Sequence, residues 1–167
     1  MKKNYYFIAL PLLISLFIYL FYRTEKTVVT EIFISIISLD TFIDLKKSVI
    51  SSLNLHEFII FSLPEGLWVF CITLTSKFKF IKVGKRKFNL VYAPLLFSIG
   101  LEFFQLLHLT NGRFDFLDIA VSIAFWATAN YLIKSNNTRQ NLFKPFNIES
   151  LICLFSYLIV YLAHVWQ

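Results

Sequence analysis

Glu102 and Gln105 stand three residues apart in an otherwise apolar stretch, and Arg113, Asp115 and Asp118 follow within sixteen residues of Glu102. A carboxylate and an amide at that spacing share one helix face. Asn111-Gly112 is a turn pair that ends the helix. Asp115 and Asp118 then open the next apolar run, where carboxylates cap free N–H groups and suit the helix dipole. Asp115 therefore reads equally as an N-cap and as a site residue, and Arg113 is the natural counter-charge for Glu102 or Asp115. A further carboxylate, Glu65, lies in Pro64-Glu65-Gly66, where proline removes a backbone donor and displays the side chain at a kink. Its bland alternative is a carboxylate facing a watery groove. Grouped carboxylates can share a proton as an acid–base pair, bind a cation or polarise a ligand.

These residues are conspicuous because of what surrounds them. The 167-residue chain is 57% hydrophobic, 19% aromatic and only 16% charged, against about 45–50% apolar and 25% charged for a soluble domain. The apolar residues fall in runs long enough to span a bilayer. Five spans are expected, over residues 5–22, 57–76, 89–108, 116–133 and 148–165, in a single all-α membrane domain covering residues 1–167. The first run follows Lys2 and Lys3 and ends in bulky residues before Arg23. It lacks the small-residue cleavage site of a signal peptide and reads as a retained span. Between Arg23 and Leu55, apolar pairs recur at helical spacing beside Glu31, Ser35 and Asp40, which predicts an amphipathic helix lying on the membrane or against the bundle. A further span from Val28 to Leu39 would be too short and would contain Glu31.

The net charge of +6 does not indicate a nucleic-acid partner. The stretch KFKFIKVGKRK, residues 77–87, carries six basic residues and no acid, as a cytoplasmic loop does, and its alternating Phe and Lys suit anionic head groups. Lys134, Arg139 and Lys144 form a second such loop. With the N-terminus, these place three basic segments inside, and put residues 23–55, the 109–116 turn and the C-terminus outside. Glu65, Glu102, Gln105, Arg113, Asp115 and Asp118 then meet at one depth, as an outward-facing polar pocket. An ionised carboxylate in mid-span costs about 2.5–3.5 kcal/mol on insertion scales, so such a cluster is expected to have a partner or a task.

Other chemistries find little support. His56, His108 and His164 lie in separate segments without ligand spacing, so no metal set is assigned. Cys71 and Cys153 sit in apolar runs as small hydrophobes. Glycine-rich phosphate loops, G-x-S-x-G, H-E-x-x-H and internal repeats are absent from the sequence, and no cofactor is expected.

Glu102-x-x-Gln105, then Gly112-Arg113-x-Asp115-x-x-Asp118 and an apolar span, resembles the VanZ-like membrane protein family over Ser98 to Leu132. The Pro64-Glu65-Gly66-Leu67-Trp68 stretch looks like the family's equivalent span. The sequence departs from the family in IAVSIAFWATANYLI, which has Ser122 and Ala124 and no glycine. The resemblance implies a bacterial cell-envelope protein, and the family's founding member is associated with low-level resistance to teicoplanin. The expected function is binding of an envelope or lipid-linked ligand at the bilayer, alone or with an oligomeric or membrane partner. The rivals are an intramembrane enzyme with paired carboxylates and a scaffold subunit.

Overall fold

A computed structural model of the chain describes residues 6–23, 27–109, 113–133 and 138–164, side chains of 163 and 164 excepted. The chain is mostly helical. Helix α1 is Tyr6–Tyr22, α2 Val28–Ile37, α3 Leu39–Ser52, α4 Glu57–Phe61 and α5 Leu63–Ser76. A hairpin of β1 (Lys79–Val83) and β2 (Arg86–Asn89) leads through a 3-10 turn, Leu90–Tyr92, into α6 (Ala93–Leu106). Helix α7 is Phe116–Ala127 and continues as a π-helical turn, Thr128–Leu132; β3 (Gln140–Asn141) and α8 (Ile148–His164) complete the chain. The five expected apolar runs are thus all helical over most of their lengths. Among the described residues one helical run, α4 and α5 together (Glu57–Ser76), is long and apolar enough to cross a membrane; Tyr6–Tyr22, Leu90–Leu106, Phe116–Leu132 and Ile148–Leu162 are shorter apolar helices of 10–17 residues.

Helix α5 is the centre of the bundle. Trp68, Val69, Cys71, Ile72 and Thr73 are almost wholly buried. Trp68, Val69 and Ile72 pack with Val160 of α8 and with Leu12, Trp126 and Tyr157 around them. Hydroxyls fasten the contacts: Ser15 donates to the Pro64 carbonyl at 3.1 Å, and the Ser76 hydroxyl lies 3.1 Å from that of Tyr157. On α7, Val121 and Phe125 lie against Gly66. A Cβ at residue 66 would come within 2.5 Å of the Phe125 ring and 2.7 Å of Val121. Small residues at such crossings let helices approach closely. The outward faces carry many large apolar side chains. Tyr6, Leu10 and Leu13 on α1, Leu96 and Phe103 on α6, Phe116 and Ile123 on α7, and Leu151, Phe155 and Tyr161 on α8 are exposed.

Three expectations need correction. First, the chain is not all-α. The stretch expected as a basic loop is an antiparallel hairpin, pairing Phe80 with Asn89 and Lys82 with Lys87, and β3 adds in parallel beside β1. Its alternating Lys and Phe have the period of a strand, and Gly84, at φ 60°, opens the two-residue turn. Second, residues 28–52 form two helices, broken at Ser38 with φ 72°. They lie against the bundle, one of the two expected placements. Phe33, Ile34, Ile37 and Val49 pack with Phe42 onto Leu20 and Phe21 of α1. Third, the interruption expected at Pro64 lies two residues earlier. The break falls at Ser62, and Pro64 sits in the first turn of α5, where its lost N–H would have no helical partner.

The sheet ties one end of the bundle. Lys79, only 4% exposed, reaches Gln140 Oε1 and Asn147 Oδ1, each at 3.3 Å, and Ser150 Oγ at 3.2 Å. It also meets Glu149 Oε2 at 3.7 Å. Lys77 donates to the carbonyls of Ala129, Asn130 and Ile133. These are orphan acceptors at the end of α7, where a cation suits the helix dipole. Burial there pushes the Lys77 amine below the usual lysine range. The two stretches expected to lie on one side of the protein are thus joined to each other.

Candidate functional site: a carboxylate cluster between three helices

Away from the sheet, three helices each bring one carboxylate to the same place. Glu65 stands in the first turn of α5, Glu102 on α6 and Asp118 in the first turn of α7. One oxygen from each lies within 4.8 Å of the others. Glu102 is 1% exposed, while Glu65 and Asp118 are half-buried.

A serine accompanies each acid at helical spacing. Ser98, one turn before Glu102, donates to Glu65 Oε1 at 2.6 Å, and Ser122, one turn after Asp118, donates to the same oxygen at 3.4 Å. The two hydroxyls are 2.8 Å apart. Two hydroxyl protons serve three contacts, so one contact at any moment lacks its proton. Ser62, three residues before Glu65, provides a side-chain hydrogen bond to Asp118. The Asp115 N–H donates to Glu102 Oε2 at 2.9 Å. Asp118 Oδ1 is buried without a hydrogen-bond donor among the described residues.

Arg23, just past the end of α1, is a positive charge within electrostatic reach of Asp118. Its guanidinium lies 5.2 Å from the ring centres of both Tyr19 and Phe61 and donates to the Phe61 carbonyl at 2.9 Å. The aromatic rings and carbonyl hold this charge in place.

Of the six residues expected at the site, Glu65, Glu102 and Asp118 come together. Asp115 is exposed and serves chiefly as the N-cap of α7, its Oδ1 accepting from Leu117 N–H at 2.8 Å, although its backbone reaches Glu102. Gln105 is half-buried one turn beyond Glu102, and Arg113 is exposed just ahead of α7. The turn at Asn111-Gly112 lies outside the described residues. Of the histidines, the His56 ring nitrogen caps α4 by accepting from Phe58 N–H at 3.2 Å, and His108 is exposed beyond α6; neither belongs to the acidic ligand group. Sequence reading missed Arg23 and the three serines. Their signal was available, since each serine stands three or four residues from a carboxylate and so shares its helix face.

Chemically, three close carboxylates from three helices form an all-oxygen set. Such a set suits a hard cation or an ammonium or guanidinium group, and a pair within it can share a proton. Comparison of the chain with protein-family models, curated proteins and solved structures gives no match.

Proposed function

We propose that this chain is a small multi-pass membrane protein of the bacterial cell envelope, of the VanZ-like kind, which binds an envelope or lipid-linked ligand through the carboxylate cluster. The observation that carries the binding role is the approach of Glu65, Glu102 and Asp118 oxygens to within 4.8 Å from three separate helices. Like charges at that distance in a poorly solvated site repel strongly. An all-oxygen cluster of this kind favours a ligand bringing a positive group, and the hydroxyls of Ser62, Ser98 and Ser122 orient the acceptors around it.

The membrane reading is supported by the exposed apolar faces of α1, α6, α7 and α8. Helices of 17 residues are about 26 Å long, at the short end of what spans a bilayer. The joining of both basic stretches in one sheet supports a common, cytoplasmic side for them, with the cluster toward the outside. Alkaline phosphatase fused after Gln167 is accordingly expected to be active, and a fusion within Lys82 to Lys87 inactive. The reverse pattern would put the cluster on the cytoplasmic side.

Glu102→Gln tests the binding role. It keeps the shape of the side chain and its acceptance from the Asp115 N–H while deleting the charge. In a bacterial host, the wild type is expected to raise the inhibitory concentration of teicoplanin. The variant, at equal membrane abundance, should return it to the value of the empty host. A fully protective variant would show that an amide suffices and would remove the charge-based role. A variant that fails to accumulate would favour a purely structural cluster.

A further inference from the structure

We propose that the β1–β2 hairpin is a binding site for the head group of an acidic glycerophospholipid on the cytoplasmic leaflet; this rests on the membrane reading above. Lys82 and Lys87 are directly opposed across the antiparallel pair, so their side chains leave the same face, and both are exposed. Like charges in that position destabilise a hairpin. A phosphate between them removes the repulsion and turns it into a two-point clamp. Arg86 adds a third charge at the turn, and the segment from Lys77 to Leu101 contains no acid to compete.

The second observation is a groove of about 460 Å³ running from Lys87, Phe88 and Asn89 to Tyr92 and Leu96 at the start of α6. Phe88, Tyr92 and Leu96 are each more than half exposed. Lys87 at the groove's mouth and an apolar trough along the start of α6 match an anionic head group with an acyl chain attached. A soluble acidic peptide would find charge at one end of the groove and exposed hydrocarbon along the rest. The aromatic residues at the head of α6 also suit the membrane–water boundary.

The test titrates the purified full-length protein, in detergent, with phosphatidylglycerol or phosphatidylcholine and counts bound lipid by native mass spectrometry. Phosphatidylglycerol should bind more tightly, and Lys82→Gln/Lys87→Gln should weaken it by about 25-fold, since each basic residue near an anionic surface contributes about fivefold. Lys82→Arg/Lys87→Arg should retain binding, which separates loss of charge from loss of fold. Lys144→Gln removes a charge from the neighbouring loop and should change the affinity by less than the double variant. Equal binding of the two lipids, an unchanged double variant, or an equal loss in Lys144→Gln would each overturn the proposal. Competition by inorganic phosphate as effective as that by the lipid would reassign the clamp to free phosphate. Carbonate extraction of native membranes separates the two levels of the argument. A protein released by carbonate defeats the membrane reading, whereas one retained without lipid preference defeats only the hairpin site.

Discussion

Lys79→Met is expected to destabilise the protein by about 3 kcal/mol, measured as a fall in Tm of the purified chain, while Lys82→Met leaves it nearly unchanged. Lys79 is 4% exposed and serves Gln140, Asn147, Ser150 and Glu149 at once. Breaking a buried ion pair costs about 3–5 kcal/mol because the remaining charge and acceptors are stranded. The lower end applies here, since Glu149 is 27% exposed and keeps some contact with water. Methionine matches the length of the lysine stem, so the loss reads the ammonium group and not a cavity. Lys82 is exposed on the same strand and has no comparable set of acceptors to strand. Equal Tm values for the two variants would show that the Lys79 contacts do not hold the loops together.

Gly66→Ala is expected to cost about 1–3 kcal/mol through overpacking, and to weaken the function tested with Glu102→Gln as well. The added methyl meets the Phe125 ring at 2.5 Å and Val121 at 2.7 Å, and contacts that short force something to move. Both neighbours lie on α7, which also carries Asp118 and Ser122, so a displacement there reaches the cluster. Gly100→Ala is the control. A Cβ at that glycine meets nothing within 4 Å, and the change raises helix propensity. Pairing Gly66→Ala with Phe125→Leu should recover part of the stability. Failure of that rescue would remove the packing explanation.

The helices were legible because long apolar runs bounded by turn residues and charges have few other conformations. Residues 57–76 and 116–133 were read nearly to their ends. The sheet was not legible, because in KFKFIKV the charge drew the reading toward topology and away from the period-two alternation beside it. The pairing of β1 with β3 could not be read either. It depends on residues 61 positions apart, whose meeting is set by the helices between them. At the site, Glu65 and Glu102 were legible as lone acids in apolar surroundings, and Asp118 as the acid at the head of an apolar run. Arg23 was unreadable as a partner because its neighbourhood with Asp118 is created only when α1 packs against α5. The serines were overlooked for the opposite reason, since small hydroxyl residues are common in apolar helices and only their position relative to a carboxylate distinguishes them.

The β1–β3 pairing closes residues 80–141 into a loop whose two ends are held side by side. Helices α6 and α7, bearing Glu102 and Asp118, form the arms of that loop, with Lys77 gripping the far end of α7. The arms are therefore clamped at the sheet and joined at the cluster by the short stretch between Leu106 and Phe116. Separation of α6 from α7 at the sheet would require breaking strand pairing and the Lys79 contacts together. At the other end the arms are linked by the Ser98–Ser122 hydroxyl contact and the Asp115 N–H bond to Glu102. Mechanically the unit is a pair of arms bound together at the basic end, with the carboxylates carried toward the other.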